Sequence, residues 1–271
     1  MSFSVHRFAL LAALACGCGG DGGGGDDDAS AGDASAGDAS AGDASAGDAS
    51  GGIDAYRPPG SPAAGAHGLA YFRYESHAEV LSTPAMSTAE GSTIVVSVGR
   101  GSAGAFVPPT DNRGNGAYPQ LGTVHRYTNW PGSGTALYAR TGATGGGGHV
   151  VQVGTPYDDE ITMAAVEVIG GARIADVAWR EVLAPAPLTS APVTTAGPAT
   201  LVAFWWGDAG AEGPKTAVPG DGFVRVDAIL DEGSLVQAAA AVRDVTAAGT
   251  YTVTWTATPV QGAQLWLVAV D

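Results

Sequence analysis

The chain has 271 residues, with a net charge of −15 and 27 acidic residues. A surplus of that sign argues against nucleic-acid binding, which needs clustered Lys and Arg to neutralise phosphates. Only two cysteines are present. Both, Cys16 and Cys18, stand near the N-terminus, so the rest of the chain has neither a disulfide nor a thiolate nucleophile to work with.

Residues 1–15 read as an export signal. Arg7 supplies the positive n-region, and Phe8–Ala15 is an apolar run ending in small residues. That run is too short to span a bilayer. Residues 16–57 read as a linker. Within it, Asp-Ala-Ser-Ala-Gly begins at Asp28 and recurs at Asp33, Asp38 and Asp43, with a shortened copy at Asp48. Residues 19–52 contain no large apolar side chain, so nothing offsets the entropy of ordering them, and a disordered tether is expected. A coil of that composition spans roughly 30–35 Å. Arg57-Pro58-Pro59-Gly60-Ser61-Pro62 marks a stiffer boundary.

The Leu14-Ala15-Cys16 junction resembles the lipobox of bacterial lipoproteins, with Ala13 in place of the usual Leu. The resemblance implies lipidation of Cys16. Gly17 is not the aspartate that signals inner-membrane retention in such proteins, so the resemblance implies the outer membrane as the partner surface. The Asp-rich repeats are similar in composition to the stalks of myxobacterial lipoproteins.

Residues 58–271 read as one β-sandwich domain. Twelve candidate strands are separated by Gly, Pro, Asn and Asp turns: Ala70–Glu75, Thr93–Val98, Thr123–Tyr127, Ala136–Arg140, His149–Val153, Ile161–Ile169, Ile174–Val182, Thr200–Trp206, Phe223–Leu230, Leu235–Val242, Tyr251–Thr256 and Leu265–Val270. The predicted fold is all-β, an antiparallel two-sheet sandwich of jelly-roll type. Tyr251, Val253 and Trp255 alternate with threonines and share a face. Val224, Val226, Ala228 and Leu230 are expected to face inward together, and Phe223–Thr256 to form a three-strand meander. Leu265–Val270 is apolar on both faces and should be central.

Thr93–Val98, the turn Thr110-Asp111-Asn112-Arg113-Gly114-Asn115-Gly116-Ala117-Tyr118, the strand Ala165–Ile169 ending at Gly170, and Gly249-Thr250-Tyr251 with Trp255 are together similar to a pattern of secreted bacterial β-sandwich domains. Most such domains have no assigned activity, so the resemblance implies fold and location.

No Gly-x-Ser-x-Gly elbow, His-Glu-x-x-His, phosphate loop or EF-hand loop occurs. The histidines of the domain, His67, His77, His125 and His149, are scattered. Asp111, Asn112 and Asn115 put side-chain oxygens in one Gly-rich turn, the donor chemistry of a structural Ca²⁺ site; the same residues also suit an Asx-type turn. Asp158-Asp159-Glu160 reads as a solvated turn. Glu167 is a carboxylate on a mostly apolar strand face, the setting of a catalytic acid, although no partner carboxylate can be named. Trp205 and Trp206 are adjacent on a strand and point to opposite faces, so one indole is expected outside the core, free to stack on a ligand. Trp130 lies in the turn Asn129-Trp130-Pro131-Gly132 and is expected to be exposed. Trp179, Trp255 and Trp266 fit core positions.

These features point to a cell-envelope lipoprotein displaying a non-catalytic binding or adhesion module for a polysaccharide or a surface protein, with Trp130, Trp205, Trp206 and Glu167 as ligand-binding candidates. A carbohydrate-active hydrolase or lyase and a structural envelope protein are the alternatives.

Overall fold

The structure is a computed structural model that describes residues 60–73, 79–102, 104–155, 160–184, 186–207, 215–230 and 234–271. Cys16 and the repeat tract lie outside these residues. The first ten strands are β1 (Ala63–Phe72), β2 (Val80–Ser82), β3 (Met86–Thr88), β4 (Ser92–Arg100), β5 (Thr110–Asp111), β6 (Gln120–Arg126), β7 (Gly134–Ala143), β8 (Gly146–His149), β9 (Val151–Gly154) and β10 (Ile161–Ile169). The next ten are β11 (Ile174–Val182), β12 (Leu188–Thr189), β13 (Val193–Thr195), β14 (Ala199–Gly207), β15 (Thr216–Pro219), β16 (Val224–Ile229), β17 (Gln237–Val245), β18 (Gly249–Tyr251), β19 (Thr254–Thr258) and β20 (Ala263–Val270). Each of the twelve expected strands falls at least in part on observed strand, and the end of the first, residues 74–75, lies outside the described residues. The eight not foreseen or foreseen only in part are mostly pieces of two to four residues.

The chain is an antiparallel β-sandwich, and it is built twice. The first ten strands form a five-stranded sheet in the order β1-β10-β4-β7-β6, covered by the small sheets β2-β9-β5 and β3-β8. The second ten repeat this order strand for strand: β11-β20-β14-β17-β16, covered by β12-β19-β15 and β13-β18. In each half the five-stranded sheet and its cover have jelly-roll order. A sequence echo accompanies the repeat: Leu81, Thr88, Ala89, Thr93 and Val95 correspond to Leu188, Thr195, Ala196, Thr200 and Val202, all at one offset.

The two five-stranded sheets pack against each other, with β1 over β16, β10 over β17, β4 over β14 and β7 over β20. Between them lies a core that includes Val95, Leu137, Val166, Val202, Phe204, Trp206, Trp266 and Val268. Each sheet then has a second core on its other face. Ile94, Val96, Val98 and Met163 pack under the first cover, and Leu201, Trp205, Leu265 and Leu267 under the second. Four layers explain why β4, β10, β14 and β20 are apolar on both faces. Gly99 of β4 is part of this packing, because a Cβ there would overlap the Trp206 indole and Thr162.

Leu265–Val270 is central as expected, between β11 and β14. Val253 and Trp255 share the second outer core, with Tyr251 packed against it. Two local expectations change. A bulge between Arg225 and Asp227 breaks the alternation of β16. Val224 is therefore exposed, Val226 packs in the central core, and Ala228 and Leu230 pack in the outer one. The meander also ends at β17, since β18 and β19 leave for the covering layer and pair with β13, β12 and β15.

Strand direction defines two poles. At the near pole β1 begins, and the Ala64 amide reaches Asp244 at the end of β17 (3.3 Å). At the far pole β1, β4, β6, β11, β14 and β16 end, while β7, β10, β17 and β20 begin. Bonds between the halves fix this alignment: Leu235 N donates to Glu160 Oε1 (2.9 Å), Thr128 N to Glu181 Oε2 (2.9 Å) and Thr135 Oγ1 to Gln264 Oε1 (2.7 Å).

Candidate functional site

Three clusters hold the residues singled out above. The first is the turn after β5. Asp111 Oδ1 accepts from the amides of Arg113 (2.8 Å) and Asn115 (3.2 Å). Its Oδ2 accepts from Asn115 Nδ2 and Tyr118 Oη, both at 2.8 Å. Asn112 Oδ1 accepts from Val150 N (2.9 Å) and Asn115 Oδ1 from Thr144 N (2.8 Å). Every side-chain oxygen of this trio therefore faces an N–H or O–H donor. That is the pattern of a turn pinned by its own side chains, and it departs from the donor set that Ca²⁺ requires.

The fold adds a partner that sequence spacing did not show. His149, at the end of β8, lies with its Nε2 3.3 Å from Asp111 Oδ2, and both side chains are fully buried. Nε2 makes no hydrogen bond across that distance. His149 Nδ1 is 2.8 Å from the Thr88 hydroxyl. Burial pushes the Asp111 carboxyl up, but the bonds from Asn115, Tyr118 and the Arg113 amide more than reverse this and leave it below its ordinary value. Burial, then the bond to Asp111 and its charge, push the Tyr118 phenol well up, against the pull of Arg140. Hydroxyl, imidazole and carboxylate stand in the order of a nucleophilic triad. Thr88 is nonetheless buried, so the order lacks an accessible nucleophile. The cluster acts as a polar pin for the first cover.

The second cluster is Glu167. It is 1% exposed and its carboxylate spans two backbone segments. Oε2 accepts from Ala66 N (2.9 Å) and Oε1 from Ala89 N (2.6 Å). β1 has a bulge between Ala64 and His67, opposite Glu167, and this takes the Ala66 amide out of the ladder. Gly65 leaves room for the carboxylate, since a Cβ there would overlap Oε2. Glu167 thus satisfies a bulge and the turn before β4, and both of its oxygens are engaged.

The tryptophans separate. Trp205 is 0% and Trp206 2% exposed, so the expected exposed indole of this pair is absent. The alternation rule held, but β14 has a core on each face: Trp205 enters the outer core and Trp206 the central one. Trp255 and Trp266 are buried as expected, while Trp179 is half-buried and stacks on His125 at 3.7 Å.

Trp130 is 60% exposed. Its turn is tightly held: Trp130 N donates to Tyr127 O (3.1 Å), and Ser133 N and Oγ donate to Trp130 O at 2.7 and 2.8 Å. Beneath it the buried Tyr127 meets Trp206 edge-on. Tyr127 Oη and Val182 O also border Gly262, where a Cβ would meet both. The turn at Trp130, the residues after β11 and those before β20 therefore share one corner of the far pole. Leu183 (39% exposed) and Val260 (74%) belong to the same corner.

Glu160, expected in a solvated turn, is buried at this pole. Its Oε1 accepts from Leu235 N and from Tyr71 Oη. Burial holds the carboxyl above its ordinary value, opposed by those bonds and by the Arg73 charge. Among the described residues no group of three or more His, Cys, Asp or Glu is placed to hold a metal ion, and no described helix is long and apolar enough to cross a membrane.

No protein family, curated protein or solved structure matches this chain.

Proposed function

We propose that this is an outer-membrane lipoprotein, acylated at Cys16, whose acidic tether holds a non-catalytic β-sandwich binding or adhesion module, and that the far pole is the binding face. Its ligand is a polysaccharide or a protein of the cell envelope or of a neighbouring surface. The observation that carries the reading is Trp130, an indole 60% exposed on a turn whose backbone is already fixed. A rigid aromatic in that setting loses little conformational entropy on binding. Its position supports display. β1 starts at the near pole and runs ten residues, about 33 Å, toward the far pole. The chain thus enters the described domain at one end and presents Trp130 at the other. Glu167 does not favour the hydrolase alternative, since its oxygens are spent on backbone amides.

The test is retention of the full chain, in detergent, on immobilised envelope material. Trp130→Ala is expected to weaken retention by about tenfold and leave the unfolding midpoint unchanged. Equal retention of the two proteins would overturn the assignment of the binding face. For the anchor, mass spectrometry of a membrane fraction should find acyl chains on Cys16, and Cys16→Ser should be released. An unmodified, soluble wild-type protein would refute it.

A further inference from the structure

We propose that Thr135 and Gln264 join in an internal ester, a covalent staple between the two halves of the domain, formed with the help of the protein's own His125 and Glu181. The staple is independent of any binding face; it is a modification that the fold performs on itself. No disulfide can join the halves, because residues 19–271 contain no cysteine.

Two cross-strand pairs face each other across the central core. In the first sheet His125 of β6 lies directly opposite Thr135 of β7. In the second, Glu181 of β11 lies directly opposite Gln264 of β20. Residues so paired share a face, with Cβ atoms about 4.5–5.5 Å apart. Thr135 and Gln264 are both 0% exposed. Thr135 Oγ1 donates to Gln264 Oε1 (2.7 Å) and accepts from Trp266 Nε1 (2.9 Å). Gln264 Nε2 donates to Glu181 Oε2 (3.3 Å). An ionised carboxylate can only accept, so it fixes the amide with its carbonyl toward the threonine. His125 stacks on Trp179 at 3.7 Å and meets Trp266 edge-on at 5.1 Å, the same indole that bonds Thr135.

A carbonyl bond is about 1.23 Å long, so a hydroxyl oxygen 2.7 Å from Oε1 stands about 3–4 Å from Cδ. That range takes in the roughly 3–3.5 Å of a near-attack arrangement, and the bonds from Trp266 and to Glu181 hold both partners in it. In the reaction Oγ1 bonds to Cδ, the Cδ–Nε2 bond breaks, and the hydroxyl proton departs on the nitrogen as ammonia; nothing is oxidised or reduced. His125 is the base that the register sets beside Thr135. Burial holds its pKa below the ordinary value, against the Glu181 charge, so the ring is neutral at pH 7. It takes the hydroxyl proton and passes it to the leaving nitrogen. The Glu181 charge favours the transient imidazolium. Neither reacting residue is open to water, so the ester is shielded from hydrolysis once formed.

The test is a tryptic digest of the full chain, purified in detergent and read by mass spectrometry. Cleavage after Arg126, Arg140 and Arg243 puts Thr135 in the peptide 127–140 and Gln264 in the peptide 244–271. The two are expected as one species, lighter than their sum by one ammonia. Hydroxylamine, which opens esters and spares amides, should part them and leave a hydroxamate at position 264. Thr135→Val removes the nucleophile at nearly constant shape and should return the peptides unlinked, while Thr135→Ser should restore the link. His125→Phe keeps a ring on Trp179 and removes the base, and linking in newly synthesised protein should slow about a hundredfold. Circular dichroism checks that this variant is folded, and His125→Gln repeats the measurement if it is not. Unlinked wild-type peptides, a link that hydroxylamine leaves intact, or a link that persists in Thr135→Val would overturn the inference. An unchanged rate in a folded His125 variant would overturn the part given to that residue.

Discussion

Glu167→Ala is expected to destabilise the domain substantially without any appeal to catalysis. The carboxylate accepts from Ala66 N at 2.9 Å and Ala89 N at 2.6 Å, and its residue is 1% exposed. Removing it strands one amide of the β1 bulge and one of the turn before β4. Hydrogen bonds to a charged acceptor contribute about 1.5–3 kcal/mol each, so the loss of two amounts to about 3–6 kcal/mol. For a domain of this size that is a fall of about 10 °C in melting temperature. Glu167→Gln separates charge from shape. Its carbonyl can serve one amide, but its NH₂ then faces the other, donor against donor. It should recover at most half of the loss. Urea titration followed by tryptophan fluorescence reads both variants. A glutamine variant as stable as the wild type, or an alanine variant within about 0.5 kcal/mol of it, would refute the role given to this carboxylate.

Two further outcomes follow from the buried carboxyls. Asp111 is held below its ordinary value, so the stability it contributes is full above that value, 3.8 in the unfolded chain, and is lost as pH falls through the lower folded value. Asp111→Asn places an NH₂ against Asn115, Tyr118 and His149 and should cost about 2–3 kcal/mol. It should also flatten the acid limb of a stability–pH curve; a limb identical to the wild type's would contradict the assignment. Glu160 has the opposite sign. Its folded value is raised above the ordinary 4.5, so its ionisation costs stability that is fully kept below that pH and given up as pH rises through the folded value. Glu160→Gln should remove that slope and stabilise the protein at pH 7 by about 1 kcal/mol, after allowance for solvent screening. Thermal melts at pH 4, 5.5 and 7 check it, and a loss of stability at pH 7 would count against the argument.

The long strands were legible because each carries enough residues to show alternation or an unbroken apolar run. Ile161–Ile169 and Ile174–Val182 match their strands residue for residue. The covering strands were not legible, because pieces as short as Leu188–Thr189 carry no period. The internal repeat was readable only where residues 81–95 echo 188–202. Elsewhere the halves have diverged, and the repeat is stated by strand order alone. Asp111 and His149 are far apart in sequence, and only the first cover brings them together. The signal that could have found them was in plain sight: a histidine alone among Gly-rich and apolar residues, and an aspartate opening a turn rich in donors.

The tryptophan pair shows why correct local reasoning placed an indole wrongly. Adjacent strand residues do point to opposite faces, and in a two-layer sandwich one of those faces is water. Here the duplicated order gives each five-stranded sheet a partner on both sides, so Trp205 and Trp206 both find a core. The large side chains that stay exposed are then found in the loops, as Trp130 and Val260 are. Trp130 stays outside on a turn closed by the bonds from Trp130 N to Tyr127 O and from Ser133 N to Trp130 O. In a sheet covered on both faces, the strand ends and loops are where a large side chain can stay outside, and the exposed indole lies at the pole away from the start of β1.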